Sequence, residues 1–179
     1  MLRIGPIKPL RALAMAYIEF FRGTPLIVQI LILFAALPQF TGLFLPPFET
    51  AVLSLTLNAG SYLAESYRSG LQAVPIGLLE AARSLGMRGV LVFRRLTFPL
   101  AIRVILPAIG NSLVAILLTT PFVFLAGLED MMAKANQILN RTGDFSVFLL
   151  VTIIYVFFGL ILVAGNTVLE RRLRLPDAH

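Results

Sequence analysis

The 179-residue chain has no cysteine, no tryptophan and a single histidine, His179, at its last position. The absence of cysteine excludes disulfides, thiolate metal sites and thiol nucleophiles. With no internal histidine there is no imidazole to serve as a general base. No Gly-x-x-x-x-Gly-Lys loop is present to cradle a nucleotide phosphate, so any ATP chemistry must reside elsewhere. Residues 1–22 are basic and interrupted by Pro6 and Pro9, and do not read as a secretory signal. Charge is scarce too. Only 13% of residues are charged, whereas 58% are hydrophobic. Soluble domains run near roughly 45–50% apolar, so the bilayer is the solvent this composition suits.

Four apolar runs have the length of roughly 20 residues that a hydrocarbon core of about 30 Å demands. They cover residues 25–45, 50–67, 102–127 and 145–169. Helices satisfy their own backbone groups in lipid, and the strict alternation of a β-barrel is missing. The expectation is an all-α membrane protein with about four transmembrane helices.

Charge orients the runs. The net charge is +6, but the basic residues cluster at the ends of apolar runs rather than on one solvated face. That pattern argues against nucleic acid and for membrane topology. Arg3, Lys8, Arg11 and Arg22 precede the first run. Arg68, Arg83, Arg88, Arg94, Arg95 and Arg103 lie between the second and third. Arg171, Arg172 and Arg174 follow the fourth. Thirteen of the 15 basic residues thus share one side, leaving Lys134 and Arg141 on the other. The positive-inside bias places both termini and the 71–99 loop in the cytoplasm.

Local signals refine this picture. Residues 10–21 mix Arg11 and Glu19 with apolar side chains, as an interfacial helix that turns into the first span at Gly23-Thr24-Pro25 would. Pro107 and Pro121 predict a bent or interrupted third span, re-entering the membrane near Thr119-Thr120-Pro121. Residues 128–139 carry apolar side chains at helical spacing, as in a helix lying on the external surface. Pro75 and Gly86 bracket strong helix formers between them, with Leu78, Ala82 and Leu85 on one stripe and Leu79 broadening it. Such a short amphipathic helix needs a protein surface to hold it. Residues 90–96 read as a second short piece ending before Pro99.

These residues carry a resemblance. Glu80-Ala81-Ala82, three residues, Gly86, nine residues, then Leu96, Phe98 and Pro99 is similar to the EAA loop of ABC importer permeases. Tyr17-Ile18-Glu19-Phe20-Phe21-Arg22-Gly23-Thr24-Pro25-Leu26-Ile27-Val28-Gln29 resembles a motif of the polar amino-acid permeases of the histidine/glutamine/arginine type. So does Leu57-Asn58-Ala59-Gly60-Ser61-Tyr62-Leu63-Ala64-Glu65 with Arg68-Ser69-Gly70. The resemblance covers nearly the whole chain. It implies a type I ABC importer permease bundle, with residues 1–24 as a cytoplasmic or interfacial segment and 25–179 as the transmembrane domain. It also implies a bacterial inner-membrane location, cytoplasmic ABC ATPase subunits, an external solute-binding protein, a second permease subunit and surrounding lipid. No cofactor is expected on this chain, since ATP and Mg belong to the ATPase.

Under the resemblance, Leu78, Glu80, Ala81, Ala82, Arg83, Leu85 and Gly86 form a coupling helix seated in a groove of the ATPase. Leu78, Ala82 and Leu85 would supply apolar contact, Glu80 a charge partner, and Gly86 the sharp turn. Asn58, Glu65, Asn111, Thr119 and Thr120 are the candidates for the substrate pathway, because polar groups inside spans are costly and favour interior or aqueous positions. Each has a structural alternative. Asn58 and Asn111 can bond neighbouring helices, and Glu65 can pair with Arg68. Gln29 is placed to face the bundle interior. Two departures stand out. The family carries one more spanning helix ahead of Glu19. Where it has a Lys-Asp-Thr-Ser-Leu stretch, this chain reads Leu118-Thr119-Thr120-Pro121-Phe122. A channel or secondary transporter lacking a motor is the competing reading, and it predicts ionisable relays deep within the spans.

Overall fold

The computed structural model describes residues 8–173, and Arg3, Arg174 and His179 lie outside them. Among the described residues the secondary structure is helical, with no strand. Helix α1 (Lys8–Gly23) is joined at Thr24-Pro25 to α2 (Leu26–Leu31) with a bend of 107°. Pro25 sits at the N-cap in an extended conformation, so the helix restarts there in a new direction. The expected turn at Gly23-Thr24-Pro25 is observed.

The first predicted span is shorter and less regular than its composition suggested. After α2 comes a π-helical turn (Ile32–Ala36) and then α3 (Leu37–Thr41), which ends at the left-handed Gly42. The π turn stands just before Pro38. A regular α register would aim the carbonyl four residues back at the proline ring, and the wider turn relieves that clash. The same device recurs further on. Helix α6 (Gly89–Val92) passes through a π turn (Phe93–Thr97), in which the Phe98 N–H bonds the Phe93 carbonyl, into α7 (Phe98–Thr119). Residues 90–96 are therefore not a separate piece ending before Pro99 but the start of one run, Gly89–Ala126, of 38 residues.

Of the two prolines expected to bend or interrupt the third span, Pro107 lies within α7, which stays helical through it. The regular register is lost instead at Thr120 and Pro121, where a 3-10 segment (Thr120–Ala126) leads to the left-handed Gly127. Helix α4 (Pro47–Gln72) starts earlier and ends later than residues 50–67, because Pro47 stands at its first position and the helix carries on past Arg68. Between them, α5 (Ile76–Ser84) fills the loop. Helix α8 (Met131–Thr142) is capped by Asp130, whose Oδ1 accepts from the Ala133 N–H at 2.8 Å. Helix α9 (Val147–Leu173) closes the described chain.

Among the described residues two helices, Gly89–Ala126 and Val147–Leu173, are long and apolar enough to cross a membrane, or three if the bent α1–α3 pair is one span. Helix α4 has 26 residues, about 39 Å, which is long enough to span. Its apolar character is diluted by Thr50, Ser54 and Ser61, all buried against protein rather than lipid. It packs on both α1 and α7, and α7 packs on α9. Two apolar clusters pin this bundle. Ile30, Ala51, Val123 and Ala126 join α2, α4 and the 3-10 segment. Val74, Ala101 and Ile105, with Leu71 and Leu79 against them, join the α4–α5 turn to α7.

Candidate functional site

A cleft of about 660 Å³ opens between α1, α2, α4 and α7. Arg22, Asn58, Tyr62, Asn111, Ser112 and Thr119 line it, beside apolar side chains such as Ile116 and Phe122. The structure therefore gathers Asn58, Asn111 and Thr119, three of the five predicted pathway residues, on one surface. The other two lie elsewhere. Glu65 accepts from the Arg68 Nε at 2.8 Å and lies 3.9 Å from an Arg22 nitrogen, in an ion-paired cluster. The Thr120 hydroxyl donates to the Leu117 carbonyl at 2.7 Å and stands 3.2 Å from the Tyr155 hydroxyl on α9. Thr119 spends its hydroxyl proton on the Ala115 and Ile116 carbonyls of its own helix. That leaves the oxygen lone pairs as its polar offering to the cleft.

Two amide pairs stand behind the cleft walls. At the α1–α2 bend, Gln29 is only 3% exposed. Its Nε2 donates to the Phe21 carbonyl at 3.0 Å, the Thr24 carbonyl at 3.0 Å and the Thr24 hydroxyl at 2.8 Å. Its Oε1 accepts from Asn58 Nδ2 at 3.1 Å, and that same nitrogen reaches the Phe21 carbonyl at 3.2 Å. Asn58 thus both bonds another helix and lines the cleft. On the opposite wall, Asn166 of α9 donates to the Asn111 Oδ1 at 2.9 Å, the Pro107 carbonyl at 3.3 Å and the Glu170 carboxylate at 3.4 Å. Asn166 was not among the predicted site residues. Its signal was a lone amide within an otherwise apolar run, which bilayer energetics make costly without a partner.

The short helix predicted between Pro75 and Gly86, an elbow in the 71–99 loop, is α5, whose end is locked by its own backbone. The Met87 N–H bonds the Ala82 carbonyl at 3.1 Å and the Gly86 N–H bonds the Arg83 carbonyl at 2.9 Å, with Gly86 at φ +77°. This is the Schellman geometry in which glycine carries no Cβ penalty. Glu80, Ala81, Arg83 and Leu78 are exposed, and Leu85 is 83% exposed. Ala82, expected on the same outward stripe, is 4% exposed and so belongs to the inner side of the helix. Leu79 packs inward beside it onto Val74, Ala101 and Ile105. A Cβ at Gly70 would run into Ile105, so the end of α4 touches α7 at the seam where Leu79 arrives. The exposed elbow is thereby tied to two long helices by contacts that leave little slack. No group of three or more metal-ligating side chains comes together among the described residues.

Long apolar helices thus surround a polar cleft, with a short exposed helix braced against them. The chain belongs to the family of binding-protein-dependent transport system inner membrane components, whose model matches residues 4–175. It is 35% identical over 167 residues to the nopaline transport system permease protein NocM of Agrobacterium fabrum, spanning 88% of this chain and 69% of that one. It is 34% identical over 176 residues to the arginine transport system permease protein ArtQ of Bacillus subtilis, spanning 98% and 80%. A crystal structure of an amino acid ABC transporter with histidines superposes with a TM-score of 0.89 at 38% identity, over 96% of this chain and 80% of that chain. The inward-facing MetNI methionine ABC transporter gives a TM-score of 0.75 at 19% identity, over 96% and 79%, a likeness of fold. The fold is that of the type I permease bundle, and the protein is an integral inner-membrane component.

Proposed function

We propose that this chain is the membrane-spanning subunit of an ATP-binding-cassette importer that carries polar amino acids into the cytoplasm. ATP is hydrolysed, with Mg, on separate ATPase subunits. A second permease subunit completes the pore, and an external solute-binding protein delivers the solute. Both termini and the 71–99 loop lie on the cytoplasmic side, where thirteen of the 15 basic residues gather. On this reading residues 1–24 are a cytoplasmic or interfacial segment and 25–179 the transmembrane domain, of which 1–7 and 174–179 lie outside the described residues.

The carrying observation is the elbow. Leu78, Glu80, Ala81, Arg83 and Leu85 present an exposed surface, while Ala82 and Leu79 grip the bundle. An ATPase groove that moves α5 moves the α4–α7 seam with it, and rigid-body rocking of packed helices exchanges access at the cleft. The amino-acid assignment draws support from the substrates named for the relatives and from a cleft that carries a cation, Arg22, beside neutral amides. The competing motor-free reading asks for deep ionisable relays, and Glu65 is instead held in an ion pair.

The test is co-purification with the cognate ATPase and uptake of L-arginine, L-glutamine and L-cystine into proteoliposomes. Glu80→Arg and Gly86→Pro are expected to abolish ATPase association and solute-stimulated turnover. Retention of both in these variants would overturn the docking role, and uptake of none of the three solutes by the intact complex would overturn the substrate class.

A further inference from the structure

Each cleft asparagine is bonded from behind by a second amide, and each second amide is oriented by groups that only accept. Main-chain carbonyls and carboxylates have no proton to give. The Phe21 and Thr24 carbonyls therefore take the NH2 of Gln29, which leaves Gln29 Oε1 to face Asn58. Asn58 must answer with its own NH2, and its Oδ1 is left with no hydrogen-bond partner among the described residues. Across the cleft, the Pro107 carbonyl and the Glu170 carboxylate take the NH2 of Asn166. Asn111 then accepts through Oδ1, and its NH2 is the group left without a partner. Asn166 is held in this pose at a cost, because it is 8% exposed and its own Oδ1 is buried with no partner. Gly110 leaves room for this carboxamide, since a Cβ there would strike it.

We infer that Gln29 and Asn166 are positioning residues that set opposite polarities on the two cleft walls, an acceptor at Asn58 Oδ1 and a donor at Asn111 Nδ2, so that the cleft recognises a zwitterion end to end. The donor wall takes the carboxylate, and the Arg22 cation stands on the Asn58 side, over the Tyr62 ring and ion-paired with Glu65. The acceptor wall takes the ammonium. This inference rests on the proposed transport of amino acids and specifies how that solute is read.

Solute binding to the purified permease–ATPase complex tests it without the delivery protein. Kd is measured for L-arginine, L-glutamine and L-cystine, each beside its carboxyl-terminal amide and its deaminated analogue. Asn111→Leu is expected to cut the preference for acid over amide about tenfold, the scale of a lost hydrogen bond to a charged group. Asn58→Leu should instead cut the preference for the amine over the deaminated analogue. Asn166→Asp cannot donate to Asn111, so it should cost the same acid preference as Asn111→Leu, and the double variant should be no worse than either. That non-additivity separates positioning from loss of packing, which would add.

Full acid preference in Asn111→Leu, or additive losses in the double variant, overturns the inference. Should Asn166→Asp fail to assemble, the ratio in Asn111→Leu decides alone, because that side chain is exposed to the cleft. Wild-type complex that binds none of the three amino acids refutes the transport reading itself. Wild-type binding with unmoved ratios in the variants refutes only the polarity of the walls.

Discussion

Asn58 Nδ2 meets Gln29 Oε1 at 3.1 Å, joining the middle of α4 to the start of α2 just past a 107° bend. The contact has a structural consequence distinct from any role in solute recognition. Gln29→Leu leaves the Thr24 carbonyl without its side-chain donor, leaves the Phe21 carbonyl with Asn58 alone, and removes one acceptor from Asn58. A buried polar group stripped of its partner costs about 1–3 kcal/mol. Thermal unfolding of the detergent-purified protein should register a loss of about 2 kcal/mol or more, and an unchanged midpoint would show that the bend holds itself.

Gly110 faces Asn166 where α7 crosses α9. Gly110→Ala forces the Asn166 carboxamide aside or the helices apart, because the new Cβ would overlap that group. Gly165→Ala, one residue from Asn166, meets nothing within 4 Å. The first substitution is expected to destabilise the protein by about 1–3 kcal/mol, in the range of overpacking. The second should be neutral or slightly stabilising, since alanine is the better helix former. Equal melting temperatures for the two variants would contradict the close approach.

Gly86 holds a positive φ of 77° with open space around it. Gly86→Ala therefore strains only the backbone, by about 1 kcal/mol. Gly86→Pro forbids the conformation outright and removes the N–H that bonds the Arg83 carbonyl. ATPase association should weaken in the order wild type, Gly86→Ala, Gly86→Pro. Pull-down yield at fixed ATPase concentration measures it, and an equal yield across the three would separate the turn from docking.

Ahead of α9, Asp144 accepts from the Ser146 N–H at 2.8 Å and the Ser146 hydroxyl at 2.7 Å. Those bonds favour the carboxylate and hold its pKa below the usual aspartate value, the backbone bond first. A carboxyl whose folded pKa is depressed adds stability above its unfolded pKa and loses it as pH falls through the folded value. Hydrogen exchange in the first turn of α9 should therefore speed up selectively as pH drops below the normal aspartate range, after correction for intrinsic rates. Asp144→Asn should abolish that pH dependence. The group is exposed, so the effect is local rather than global.

Much of this molecule was legible in its residues, and the limits have physical causes. The two ends of α5 were marked, because Pro75 and Gly86 are local signals that act through backbone geometry at their own positions. The bend at Pro25 was marked the same way. Proline inside a span was misleading. Pro107 and Pro121 together predicted a bent or interrupted span, yet only at Thr120-Pro121 does the α register end, and Pro99 marked no boundary, because the π turn just ahead of it widens the register before the ring. The burial of Ala82 was hidden for a different reason. A stripe of Leu78, Ala82 and Leu85 is one face on paper, but the helix is anchored through Leu79, and that rotation depends on where Ala101 and Ile105 stand on α7. Asn58, Asn111 and Thr119 were recognisable as costly polar residues in apolar runs. Their convergence on one cleft, and the dependence of Asn111 on Asn166 55 residues away in sequence, came only from the packing of α4, α7 and α9.

The central claim is that an ATPase grips the exposed side of α5 and moves the helices braced behind it. The native chain has no cysteine, so single cysteines report on single positions. Leu85→Cys and Ala81→Cys, placed on the elbow, should cross-link to the ATPase subunit with a short bifunctional reagent, and the yield should change between ATP-bound and nucleotide-free complex. Gly143→Cys, beyond the far end of α8, should give no ATPase adduct. An adduct from Gly143→Cys, or labelling of Leu85→Cys by an impermeant reagent from outside intact cells, would contradict the account.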